Sequence, residues 1–207
     1  MVKVKICGIT NQADALAAAG SGCDGLGFIF YKKSPRYISP EKARKIILEL
    51  PPRVIKIGVF VNSREKSIKA IARKCSLDML QFSGRETPEF CGRFKGFKVI
   101  KSFRVKNKIK LADVLRYRTF AYLFDTFRPG RFGGTGKTLN WKFLARDLAG
   151  IKTPVFLAGG LNEKNVKAAV KIVKPEWVDA SSRLEIRPGK KDNLKVKEFT
   201  ASAKLKS

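Results

Sequence analysis

Two residues at the ends of apolar runs are placed to do chemistry. Cys7 stands in Lys5-Ile6-Cys7-Gly8-Ile9-Thr10, and Asp125 stands in Leu123-Phe124-Asp125-Thr126. An ordinary thiol titrates near ~8.5 and an ordinary Asp carboxyl near ~4. Such a pair can divide base and acid work once its surroundings move the thiol down and the carboxyl up. The excess of Lys and Arg should help the thiolate and work against the acid. A lone cysteine is by default a small buried hydrophobe, whereas a carboxylate ending an apolar strand needs a partner or a task. The chain has no histidine, which excludes histidine triads and histidine bases and leaves proton transfer to Asp, Glu, Cys, Lys or Tyr. The four cysteines, Cys7, Cys23, Cys75 and Cys91, lack CxxC spacing, so no metal site is expected.

Three glycine- or serine-bearing segments follow later apolar runs: Gly133–Thr138 (with Gly134 and Gly136), Ala158-Gly159-Gly160-Leu161-Asn162, and Ser181-Ser182-Arg183-Leu184-Glu185. Glycine lets backbone N–H groups approach an anion, and a helix N-terminus adds positive potential. Gly133–Thr138 lacks the first glycine of a P-loop. Plain turn chemistry accounts for any one segment; the three together point to a phosphate cradle.

These groups need elements to position them. Runs at 2–7, 25–30, 54–61, 78–82, 98–103, 121–125, 154–158 and 177–181 read as strands, most of them continuously apolar, as strands buried on both faces of a parallel sheet are. Helical patterns lie between them. Thr10 or Asn11 can cap the first, Ser39 before Pro40 and Glu41 the second, and Asn162 before Glu163 a helix through 173. Others read at 63–75, 87–94, 110–117, 141–148 and 192–204. Eight strands alternating with eight helices close most simply into an α/β (β/α)8 TIM barrel, one domain over 1–207, with active groups at the strand carboxyl ends. A doubly wound open sheet is the structural alternative. The segment 126–140, long and glycine-rich after a strand, is expected to be functional.

The net charge is +27 with 44% hydrophobic residues. The cations are spread along the chain at helical spacing (Lys42, Arg44 and Lys45; Arg64, Lys66 and Lys69; Lys164, Lys167 and Lys171), which reads as a solvated face. A basic nucleic-acid-binding protein on a retired barrel is the rival this charge permits, though it would need a contiguous stripe. No specific nucleic acid and no membrane partner is expected, since no apolar run reaches the length of a span. The amino-terminal residues lack a signal-peptide pattern, and the expectation is a cytoplasmic protein, monomer or homodimer.

In order, Lys5–Thr10, Gly27-Phe28-Ile29-Phe30 with Ser34-Pro35-Arg36-Tyr37-Ile38, Gly58-Val59-Phe60-Val61-Asn62, Gly133–Trp141, Leu157–Val166, and Val178–Ser182 with Pro188-Gly189-Lys190-Lys191-Asp192 resemble the phosphoribosylanthranilate isomerases over nearly the whole chain. The resemblance implies an Amadori rearrangement of a small phosphorylated substrate, without cofactor or metal. It implies Asp125 as general acid, Cys7 as general base and Arg36 as the residue that positions substrate. It makes Gly134, Gly136, Gly159, Gly160, Ser181 and Ser182 candidates for the phosphate. Two positions depart from the family pattern. Ser83, a candidate substrate contact, stands in Gln81-Phe82-Ser83-Gly84 where the family has histidine. Arg183 stands where it has glycine, and is expected to turn inward to the phosphate. A histidine-pathway or bifunctional isomerase is the enzymatic rival; that family looks to carry an aspartate where this chain has Cys7.

Overall fold

The computed structural model describes residues 1–105, 109–126 and 140–205. Eight parallel strands close into a barrel in chain order. They are β1 (Lys3–Cys7), β2 (Gly25–Ile29), β3 (Ile55–Phe60), β4 (Met79–Phe82), β5 (Lys98–Val105), β6 (Ala121–Thr126), β7 (Val155–Leu157) and β8 (Trp177–Ala180). Helices α1 (Gln12–Gly20), α2 (Pro40–Leu48), α3 (Glu65–Lys74), α4 (Pro88–Cys91), α5 (Leu111–Leu115), α6 (Trp141–Asp147), α7 (Val166–Val173) and α8 (Asn193–Lys204) follow the strands in turn. First and last strands pair, with Lys5 opposite Asp179 and Val4 opposite Val178. That pairing rules out the open-sheet alternative.

Period-two alternation gives the barrel two cores. Val4, Ile6, Leu26, Phe28, Leu80, Phe82 and Phe124 face outward against the helices. Ile57, Met79, Ile100, Ala121, Leu123, Phe156 and Trp177 fill the interior, where the Phe156 and Trp177 rings stack at 4.8 Å. The helices start where side chains can take orphan backbone N–H groups. Asn11 accepts from the Asp14 N–H at 2.9 Å, and Thr87 and Asp192 cap α4 and α8 in the same way. At Ser39 the cap is joined by Pro40 in the first turn. The sequence expectation fails at α7. Asn162 accepts from the Lys164 and Asn165 N–H groups at 3.0 Å and closes a local turn, so the helix begins only at Val166.

Of the cations expected on a solvated face, Lys42, Arg44, Lys45, Arg64, Lys66, Lys164, Lys167 and Lys171 are exposed, while Lys69 is half-buried against Glu65. Lys5, Lys101 and Lys191 are instead buried inside the fold. Lys101 on β5 reaches Glu86 at 2.9 Å and the Gly84 carbonyl at 2.9 Å. Glu86 accepts in turn from the Asn62 and Gly84 N–H groups at 2.7 and 2.8 Å. One carboxylate thus knots the loops after β3 and β4 to the wall of β5. Glu86→Gln leaves the Lys101 ammonium buried without its counterion, and should cost about 3–5 kcal/mol of unfolding free energy. Urea denaturation measures it; a loss below about 1 kcal/mol would refute the knot.

Candidate active site

The carboxyl ends of the strands enclose a cleft lined by Cys7, Tyr31, Arg36, Gln81, Ser83, Ser102, Arg104, Asp125, Asp179 and Ser181, with Ile29, Val59 and Leu123 as apolar walls. The thiol and the carboxylate singled out in sequence therefore face one space. Each is set there by β-sheet register. Cys7 lies opposite Gly27 on β2, and Asp125 opposite Arg104 on β5. A Cβ at Gly27 would come within 2.7 Å of the Cys7 sulfur, so only glycine leaves the thiol its place.

Beneath Cys7 lies a buried ion pair. The Lys5 ammonium is fully enclosed and reaches Asp179 at 2.8 Å. Burial pushes the Cys7 thiol up; Lys5 and, more weakly, Lys191 pull it down, and Asp179 opposes them. The net direction is upward. The expectation of a lowered thiol, drawn from the excess of cations, is thus corrected: burial acts on the sulfur itself, whereas most of the cations are solvated at the surface.

A short hairpin after β8, β9 (Glu185–Arg187) with β10 (Lys190–Lys191), closes one side. Glu185 accepts from Arg36 in a fork, Nε at 2.8 Å and Nη2 at 2.7 Å, and from Lys191 Nζ at 2.8 Å. The buried Lys191 also donates to the Cys7 carbonyl at 2.6 Å. The hairpin is fastened to α1 through Asp14, which accepts from Lys190 Nζ and the Lys191 N–H, both at 2.6 Å. Arg36 is thus aimed by a carboxylate 149 residues away.

On β4, Gln81 Nε2 donates to Ser83 Oγ at 3.0 Å. The Gln81 Oε1 is buried and has no hydrogen-bond partner among the described residues. A second hollow joins the cleft, sharing Asp125, Asp179 and Ser181 and lined also by Gly159, Gly160, Ser182 and Arg183. Gly159 and Gly160 take positive φ of 95° and 68°, and Asn165 ties their turn by donating to the Gly160 carbonyl at 3.1 Å. Arg183 lines this hollow from an exposed position. Gly134 and Gly136, with the rest of 133–138, lie outside the described residues. Among the described residues no cluster of His, Cys, Asp or Glu could hold a metal ion.

Sequence reading missed Lys5, Asp179, Glu185, Lys191, Gln81 and Arg104. A signal existed for Lys5, since alternation in Lys3-Val4-Lys5-Ile6-Cys7 puts it on the face of Cys7. Its partner 174 residues away carried none.

A family model described as N-(5'-phosphoribosyl)anthranilate (PRA) isomerase matches residues 4–202. The N-(5'-phosphoribosyl)anthranilate isomerase of Pelobacter propionicus is 47% identical over 99% of this chain and 96% of its own. The crystal structure of the phosphoribosyl anthranilate isomerase of Thermotoga maritima superposes with a TM-score of 0.93 at 45% identity, covering 99% of both chains. A further crystal structure of such an isomerase, in complex with reduced 1-(o-carboxyphenylamino)-1-deoxyribulose 5-phosphate, gives 0.89 at 42% identity and 99% of both.

The hairpin lock is acid-sensitive. Burial works against the charged forms of Asp14 and Glu185. The Lys190 ammonium and Lys191 N–H at Asp14, and Arg36 with Lys191 at Glu185, outweigh it and hold both carboxyls below their ordinary 3.8 and 4.5. A depressed carboxyl stabilises the fold fully above its unfolded value, and that stability is lost as pH falls through the folded value. Tm should therefore drop steadily once pH goes below about 4.5, and Glu185→Gln should make the drop shallower. A Tm equally steep in the variant would remove Glu185 from the account.

Proposed function

The chain belongs to the N-(5'-phosphoribosyl)anthranilate isomerase family, and on that premise we propose that Cys7 and Asp125 are the base and the acid of its reaction. The reaction is the Amadori rearrangement of N-(5'-phosphoribosyl)anthranilate to 1-(2-carboxyphenylamino)-1-deoxyribulose 5-phosphate, in tryptophan biosynthesis. The observation that supports this division of labour is that one cleft is lined by a thiol from β1 and a carboxylate from β6, while the hollow beside it is built of glycines and serines.

Asp125 gives a proton to the ribose ring oxygen as the C1'–O bond breaks, and the anthranilate nitrogen supplies the electrons that make the Schiff base. Cys7, as thiolate, then takes the proton from C2'; the electron pair left behind forms the enolamine, which tautomerises to the ketone. Neither step needs imidazole. Arg36, held in plane by Glu185, presents its guanidinium to the anthranilate carboxylate. Gly159, Gly160, Ser181 and Ser182 receive the phosphate through backbone N–H and hydroxyl groups, as a barrel site after β7 and β8 does; Gly134 and Gly136, the further candidates for the phosphate, lie outside the described residues. Ser83, tethered by Gln81, offers a hydroxyl where the family carries a histidine. No helix among the described residues is long and apolar enough to cross a membrane. We read the chain as one domain over 1–207 working in the cytoplasm.

Turnover is followed as the loss of phosphoribosylanthranilate fluorescence. Cys7→Ala and Asp125→Asn should each lower kcat by roughly 10²-fold or more. Near-normal kcat in either one would remove that residue from its role.

Arg183 lines the hollow beside Ser181 and Ser182, where its guanidinium can pair with the phosphate in ground state and transition state alike. Arg183→Gly should therefore raise KM more than it lowers kcat, and weaken competitive inhibition by inorganic phosphate. Unchanged KM and phosphate inhibition would leave Arg183 as a surface cation.

A further inference from the structure

We propose that Lys5 is the positioning residue of the Cys7 base, an ammonium sealed inside the barrel whose charge, tempered by Asp179, sets how readily the sulfur ionises. The inference rests on the reading of Cys7 as base and deepens it.

Placement carries the argument. Lys5 and Cys7 are two apart on β1 and point inward together, with Cys7 at the mouth and Lys5 one layer below. The Lys5 side chain is 0% exposed, and its ammonium pairs with Asp179, its register neighbour on β8. Below this layer the interior is apolar, made of Phe156, Trp177, Met79 and Ile100. An apolar side chain of lysine's length would fill the space at no cost in desolvation, whereas a buried ion pair is weak evidence of stability in itself. The charge stands directly under the thiol and is screened there by protein rather than by water.

The other charged groups near Cys7 make contacts of their own. Lys191 on β10 meets the Cys7 backbone carbonyl and Glu185, and Arg36, from the loop after β2, is forked onto Glu185. Asp125 and Arg104 face the cleft from β6 and β5 and are register neighbours. Among the forces on the sulfur, Lys5 is the largest that pulls against burial, and Asp179 pushes the other way. The two members of the pair thus act on Cys7 with opposite signs, so replacing one or the other should move the thiol in opposite directions.

The experiment reads the thiolate directly. Folded protein is alkylated with iodoacetamide across pH, and the rate at Cys7 is followed by peptide mass spectrometry. Cys23 and Cys91, with thiols pushed up to about 12 and about 11, should stay silent. Lys5→Met should move the Cys7 midpoint to higher pH by about one unit or more, and the rising limb of kcat/KM should move with it. Asp179→Asn should move both to lower pH. An unmoved midpoint in folded Lys5→Met overturns the inference. If that variant does not fold, Asp179→Asn decides alone: a downward shift upholds the inference, and an unmoved or raised midpoint overturns it. Alkylation needs no turnover, so an active Cys7→Ala would end the base assignment without touching this result.

Discussion

Lys5 and Asp179 sit in register on the first and last strands, inside the barrel, and each offsets the cost of burying the other's charge. A lysine or aspartate alone in that interior would be an uncompensated charge. Because a shift of one residue turns every side chain to the opposite face, the pair admits only the register in which Lys5 meets Asp179. The same register puts Cys7 over the pair and Ser181 beside it at the mouth. Closing the barrel and building the floor of the cleft are therefore one event. The hairpin repeats the logic nearer the surface, where Lys191 and Arg36 converge on Glu185 and join the end of the chain to β1 and to the loop after β2. The site does not exist until residues nearly two hundred positions apart have met.

The scarcity of acids gives these contacts their weight. Seventeen carboxylates face 44 cations, and the buried ones, Asp14, Glu86 and Asp179, are each spent on a lysine that fixes a loop or the floor. Most of the other described cations lie on helices and loops. The nucleic-acid reading took that charge as the purpose of the fold. It required a barrel whose site had been given up, yet the cleft keeps its thiol, its carboxylate and its aimed arginine.

What could be read from the chain follows how local each signal is. Strand ends at Cys7 and Asp125, caps at Asn11 and Ser39, and the glycine turn at Gly159 and Gly160 are all written within a few residues, and they were legible. Asn162 misled because an amide before a helical pattern looks the same whether it caps the helix or closes a turn ahead of it. Lys5, Lys101 and Lys191 escaped notice because lysine is usually on the surface, and nothing near them in sequence names Asp179, Glu86 or Glu185. The hairpin that carries Glu185 and Lys191 is signalled only by Pro188-Gly189, and was not read as strand. The thiol was expected low because composition speaks for the whole surface, while its titration answers to burial and a few neighbours.

That last mismatch separates two electrostatic tasks. The substrate bears a phosphate and a carboxylate, so a basic exterior attracts it from any side. Salt confines that attraction to about 8 Å at physiological ionic strength, so the cations nearest a molecule in the cleft are those that line it and its hollow, Arg36, Arg104 and Arg183. Inside, water is gone and screening with it. There a single ammonium and a single carboxylate weigh more than the rest of the excess charge, because distance and dielectric both favour them. A protein can therefore gain or lose surface lysines with little consequence for a buried thiol, while one change beneath Cys7 acts on the sulfur at close range.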